Sequence, residues 1–364
     1  MKTLNLKLYF LTVLLASFFL RASGQDTDAM YAHFIDVGQG QAILLEFPKG
    51  AVLIDAGGQK DMKEKLLFFL GQFFARRTDL NRTLNGVIIT HQHVDHDQGL
   101  KDIAGRYKVL NYVDNGHHDP HGSGKMQPWM EQHVGELHIN YEAITYDKVT
   151  AGHNLQGLTN GNIDPVTGSP VDPLITVYSG AFLPGEVSDM KENNHSLVVK
   201  VMYGRASFLF MGDLETSGIE KVTDYYKNTP KVLKADILQV GHHGAKNAMT
   251  KDWVKAVRPK YAIINCGQWN WGVNADSTAQ KFTTYAYGHP NKKAIDLLEN
   301  NMTDNRPQPI KVMIGISGTD PHDPTVKPVF KQATITKNIF ATAWNGNINI
   351  KATPDGQYAV ISDR

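Results

Sequence analysis

Three histidines and an aspartate stand within six residues of one another: His91, His93, Asp95 and His96, in "VIITHQHVDHDQGL". Imidazoles and carboxylates are ligands for zinc, and also for manganese or iron. Two other apolar runs end on groups of the same kind. "FLFMG" leads to Asp213, and "DILQVG" leads to His242 and His243. Four groups spaced as HxHxDH cannot all serve one metal comfortably. In a turn leaving a strand they can offer two ligands to each of two metals, and Asp213 can bridge the pair. Two metals about 3.5–4 Å apart would share and activate a hydroxide, and would clamp a phosphoryl or carbonyl oxygen.

The pattern of apolar residues says which elements must hold these groups. "MYAHFIDVGQGQAILLEFPKGAVLIDAGG" reads as strands joined by a turn at Pro48-Lys49-Gly50, with Gly38 and Gly40 breaking the first. Residues 61–77 place Leu66, Leu67, Leu70 and Phe74 on one side of a helix. A strand over 86–90 then delivers the histidine cluster. Residues 196–202 and 206–211 form a hairpin turning at Tyr203-Gly204-Arg205 and delivering Asp213. "PKYAIINCG" is one more strand, and the end of the chain is a hairpin with a Pro-Asp-Gly turn. Residues 115–180 are rich in Gly, His, Asn and Pro and read as an irregular insertion with a helical piece near "QPWMEQHV".

The motifs together resemble the metallo-β-lactamase superfamily. Within it, "FIDVGQGQAILLE", "VLIDAGG", "THQHVDHDQGL", "NNHSLVV", "FLFMGDLE", "LQVGHHGAK" and "YGHPN" are similar to the hydrolase domain of ComEC-type DNA-uptake proteins and to phosphorylcholine esterases of that branch. The resemblance implies an α/β (α+β) four-layer αββα sandwich in a single domain, with the site at one edge. It implies two divalent metals, zinc with manganese or iron as alternatives. His91 and His93 would hold one, and Asp95 and His96 the other, with Asp213 bridging. His243 would complete the second site and His242 would be a proton donor, the reverse order staying open. His195 would complete the first site, with His153 as the fallback. Asp55 and Asp36 would support the site without binding metal. Asp95, His242 and His289 are the residues placed in catalysis, His289 as a phosphate binder or proton donor. Two departures bear on substrate: Gln41 stands where ComEC-type proteins read Asp in GQGD, and "HHGA" replaces HHGS.

Other features read as structural. Trp269 and Trp271 in "QWNWG" could stack on a base or hold a quaternary ammonium, but loop packing is the simpler account. His117, His118 and His121 read as a surface loop, and Cys266 as a buried inert thiol.

Residues 1–24 read as a signal peptide: Lys2 and Lys7, an apolar run from Leu8 to Leu20, then Ala22-Ser23-Gly24. Residues 25–364 would form the hydrolase domain. Removing 1–24 takes away Lys2, Lys7 and Arg21 and no acid, so the net charge of +1 becomes −2. That balance does not favour nucleic acid, which selects a basic surface. No later segment is apolar and long enough to span a bilayer. The expected function is therefore an exported, periplasmic or secreted, dinuclear metal-dependent phosphodiesterase acting through a metal-bridging hydroxide. Its substrate would be a small molecule or phosphodiester: a nucleotide, a nucleic acid or a phosphorylated headgroup. The alternatives are a lactonase- or β-lactamase-like carbonyl hydrolase on the same fold, and a non-catalytic binding protein.

Overall fold

The computed structural model describes residues 28–58, 62–273, 281–319 and 326–364; the segment expected to be a signal peptide lies outside them. Sixteen strands are described: β1 (Met30–Phe34), β2 (Ala42–Phe47), β3 (Gly50–Ala56), β4 (Thr83–Ile88), β5 (Lys108–Asp114), β6 (Asn140–Ala143), β7 (Pro173–Ser179), β8 (Val198–Tyr203), β9 (Ala206–Phe210), β10 (Ile237–Gln239), β11 (Tyr261–Ile264), β12 (Asn305–Ser317), β13 (Val329–Lys337), β14 (Ile339–Ala341), β15 (Ile348–Ala352) and β16 (Tyr358–Ser362). They form an eight-stranded sheet, ordered β16-β15-β1-β2-β3-β4-β5-β6, and a six-stranded sheet, ordered β14-β11-β10-β9-β8-β7. β12 and β13 pair separately as a hairpin.

Side-chain alternation along the strands creates the layers. In β2, Ile43 and Leu45 face one way and Ala42 and Leu44 the other. Ile43 and Leu45 join Phe34, Val199, Val201, Phe208 and Phe210 in the core between the two sheets. Ala42 and Leu44 join Leu66, Leu70 and Phe74 of the helix Lys63–Arg76 on the outer face of the first sheet. On the second sheet, Leu209 and Leu238 meet Ile219 of Thr216–Tyr225, Trp253 of Lys251–Val257 and Leu298 of Lys292–Asn301. Three apolar interfaces thus separate four layers, helix, sheet, sheet and helix, as expected.

Residues 115–180 are more ordered than the expected irregular insertion. Besides β7 at "PLITVYS", where order was expected to resume, they supply β6 at the edge of the other sheet. The polar residues between are turn formers. Asn160 Oδ1 accepts from the Asn162 and Ile163 amides, and Asn154 Oδ1 from that of Gln156. These local bonds satisfy the backbone without periodicity, which hides the segment's order. Among the described residues no helix is long and apolar enough to cross a membrane.

Candidate metal centre

The cluster sits where β3, β4, β9 and β10 run out at one edge of the sandwich. Asp55, at the end of β3, is fully buried and has φ +56°, an unusual value for a non-glycine residue. Its Oδ1 accepts the Thr90 amide at 2.7 Å, and its Oδ2 accepts from Thr90 Oγ1, Gln41 Nε2 and His96 Nδ1 at 2.8–2.9 Å. The same Gln41 takes the place of the expected Asp, and its backbone N–H donates to the Asp95 carbonyl at 2.9 Å. Glycine is required beside it. A Cβ on Gly57 would stand 1.8 Å from the Asp95 oxygen.

Four atoms close on one another. His96 Nε2, His243 Nε2 and Asp213 Oδ2 are mutually 3.2 Å apart, and Asp95 Oδ2 lies 3.3 Å from His243 Nε2. Ligand atoms at the corners of a tetrahedron with metal bonds of about 2.0–2.1 Å are separated by about 3.3 Å. The donor set and its spacing fit a divalent metal. His91 Nε2 and His93 Nδ1 face each other at 3.1 Å beside this group, and His91 Nε2 is 4.0 Å from Asp213 Oδ2. Asp213 Oδ1 is buried and has no hydrogen-bond partner.

Hydrogen bonds on the far side of three rings set their tautomers. His243 Nδ1 donates to the Asn265 carbonyl at 2.7 Å, and His96 Nδ1 to Asp55. Thr90 Oγ1 spends its proton on Asp55 and so accepts from His91 Nδ1 at 3.1 Å. In its neutral form each ring then presents an Nε2 lone pair to the cluster. Burial opposes charge on His243, but Asp213 and Asp95 outweigh it and hold the ring at about 10. Burial also opposes charge on His96, yet Asp213 and Asp55 carry its pKa well above normal. Burial, then His96 and His93, push that of His91 well down. The carboxylates that draw protons onto His96 and His243 are those that would draw a cation.

The remaining expected residues are placed differently from one another. His242 lies outside the four-atom group. Its Nδ1 is 3.2 Å from Asn247 Oδ1 and from Glu215 Oε1, and its Nε2 is 3.2 Å from Asn193 Nδ2. His289 is buried, and its Nδ1 faces Gln39 Nε2 at 3.4 Å. His195 is fully buried but belongs to neither group of ligand-type atoms gathered within 4.8 Å, which are His91 with His96 and Asp213, and Asp95 with His96 and His243. His153 is exposed in a short helical turn and is not part of the cluster. Asp36 does not support the cluster either. Gly38, at φ +74°, turns the chain so that Gln39 enters the cleft, while Asp36 faces Lys65 and Arg364 at 3.9 and 3.6 Å. His117 and His118 pair with Glu192 and Glu131, at 3.3 and 2.7 Å, and the Cys266 thiol is buried.

A cleft of about 380 Å³ opens over the cluster. Besides His93, Asp95, Asp213 and His243, it is lined by His242, His289, Asn193, Gln39 and Ser123, with Phe282 and Tyr287 on the same wall. The sequence reading did not single out Gln39, Asn193, Glu215 or Tyr287. Glu215, two positions beyond Asp213, was within reach of the "GDLE" motif; the others are brought in by separate loops.

Residues 35–267 match the family described as the Metallo-beta-lactamase superfamily. The chain belongs to that superfamily. It is a metal-dependent hydrolase fold, and the buried His and Asp groups are those able to bind its metal. The chain is 27% identical to ComE operon protein 3 of Bacillus subtilis (strain 168), over 73% of this chain and 30% of that protein. It is 24% identical to competence protein ComA of Neisseria gonorrhoeae, over 65% of this chain and 27% of the other. The chain thus spans less than a third of these relatives' length. Among solved structures, Tm1679, a metal-dependent hydrolase of the beta-lactamase superfamily, is 12% identical over 76% of this chain and 94% of its own, with a TM-score of 0.41.

Proposed function

We propose that this superfamily member is an exported metal-dependent phosphodiesterase. Residues 1–24 would direct export, and residues 25–364 would form the hydrolase domain. The observation that supports the chemistry most is the make-up of the cleft. Among the described residues its carboxylates are Asp95 and Asp213, which belong to the metal-type cluster, and the rest of its polar lining is imidazole, amide and hydroxyl. Such a lining suits the several oxygens of a phosphoryl group. The similarity to ComE operon protein 3 and ComA is consistent with this reading.

Asp95, His96, His243 and Asp213 would hold one divalent metal, zinc by donor type, and His91 with His93 would hold a second beside Asp213. Bound metal would polarise a phosphoryl oxygen and lower the pKa of the attacking water. The chain's own groups do the rest. His289 accepts from Gln39 at Nδ1, so its Nε2 carries the proton and offers a hydrogen bond to a phosphoryl oxygen. His242, with Glu215 against its Nδ1, is the group suited to hand a proton to the departing oxygen. Hydrolysis of bis(p-nitrophenyl) phosphate by the zinc- or manganese-loaded protein, lost in Asp213→Asn, tests the proposal. Hydrolysis of a lactone or β-lactam in place of the diester would replace it with the carbonyl reading.

A further inference from the structure

His195 is held in the opposite sense to the three imidazoles that face the cluster. His91, His96 and His243 donate from Nδ1, which in the neutral ring leaves a lone pair on Nε2. His195 Nδ1 instead accepts the Phe182 backbone N–H at 3.1 Å. In a neutral ring the proton then resides on Nε2, an atom that is buried without a hydrogen-bond partner among the described residues and that would have to lose this proton to act as a ligand. The ring is also fixed from its face. His117 stacks on it with centroids 3.7 Å apart and planes within 9°. His117 Nε2 is 3.3 Å from Glu192 Oε2, while Glu192 Oε1 accepts the Gln92 amide at 3.2 Å. The His195 carbonyl accepts from Asn115 Nδ2 at 3.0 Å. Turning His195 into a ligand would break the stack and leave the Phe182 amide unpaired in the interior.

The two sides of the centre are therefore unequal. One offers Asp95, His96 and His243, whose ligand atoms gather within 4.8 Å, with Asp213 Oδ2 at 3.2 Å from both imidazoles. The other offers His91 Nε2, His93 Nδ1 and the unpartnered Asp213 Oδ1. We infer that His195 is a positioning residue locked by His117 and Glu192, and that the His91–His93 side binds its cation tightly only together with a phosphate oxygen. This rests on the metal-dependent reading above and adds a thermodynamic link to it. If a phosphate oxygen completes the weak side, phosphate tightens the second cation, and the second cation tightens phosphate by the same factor.

Mn²⁺ binding to the metal-stripped protein, counted by electron paramagnetic resonance with and without inorganic phosphate, tests the inference without requiring turnover. One Mn²⁺ should bind at least about tenfold more tightly than the second, and phosphate should tighten the second by about tenfold or more while leaving the first nearly unchanged. His93→Ala should abolish the second cation and spare the first. His195→Gln should keep both. Because a buried substitution can impair folding, His117→Ala provides the same test from a half-buried position and should also keep both. Two equally tight cations without phosphate would overturn the inference. So would loss of a cation in a folded His195→Gln or His117→Ala protein, or no effect of phosphate. Diester turnover, followed separately, shows whether the hydrolase reading stands or falls.

Discussion

Asp55 and His96 form a fully buried pair, with Asp55 Oδ2 accepting from His96 Nδ1 at 2.8 Å. The same carboxylate accepts from Thr90 and Gln41, so one side chain fixes the strand end, the "GQGQ" loop and a candidate ligand. Asp55→Ala should weaken metal binding by about 10–100-fold, the usual effect of losing a ligand's orienting partner. It should also destabilise the fold by about 2 kcal/mol or more, since several buried donors lose their acceptor. Competition with a chelator and denaturant unfolding check the two effects.

Gly57→Ala tests the close approach of the strand end to the ligand loop. The added Cβ would fall 1.8 Å from the Asp95 carbonyl oxygen, so the loop must move. A loss of about 3 kcal/mol and of the tighter metal site is expected from overpacking at a backbone contact. Circular dichroism melts with and without zinc measure both.

His242→Ala should separate proton donation from metal binding. Its ring belongs to neither group of ligand-type atoms and is held by Glu215 and Asn193. Metal content should be unchanged. Diesters with alkoxide leaving groups should slow by about 10²–10⁴-fold, and p-nitrophenyl diesters far less, because that leaving group needs no proton. Equal losses on both substrates would remove His242 from that role.

Away from the site, Glu46 sets an acid limit on stability. Burial raises its carboxyl pKa, but His33 and Arg76 outweigh that and hold it at about 2. A depressed carboxyl contributes stability above its unfolded value, near 4.5, and loses it as pH falls toward the folded value. That contribution is about 3 kcal/mol for a carboxyl held this far below its unfolded value. Glu46→Gln should therefore cost about that much at pH 7, and the gap from wild type should close between pH 4.5 and 2. Urea midpoints across that range provide the measurement.

The legibility of the site followed the distance over which its parts are assembled. His91, His93, Asp95 and His96 are contiguous in sequence, and each apolar strand announces the group at its end. The layers follow from two-residue alternation in strands such as β2. The choice between His242 and His243 could not be read in that way. Both have positive φ, 43° and 52°, and that local twist sends His243 to the cluster and His242 to Glu215. His195 was expected to complete the first site. Its actual partners, Phe182 and His117, lie on other segments and have no signature at "NNHSLVV". β12 was equally hidden: Pro307 and Pro309 interrupt its apolar alternation near the start.

The most direct test of the central claim is steady-state hydrolysis of bis(p-nitrophenyl) phosphate by protein carrying a measured amount of zinc or manganese, beside Asp213→Asn under the same conditions. The account predicts turnover that rises with bound metal, is abolished by a chelator, and falls by at least about 10³-fold in the variant. Metal bound at the cluster with no diester hydrolysis, or hydrolysis that survives Asp213→Asn, would contradict it.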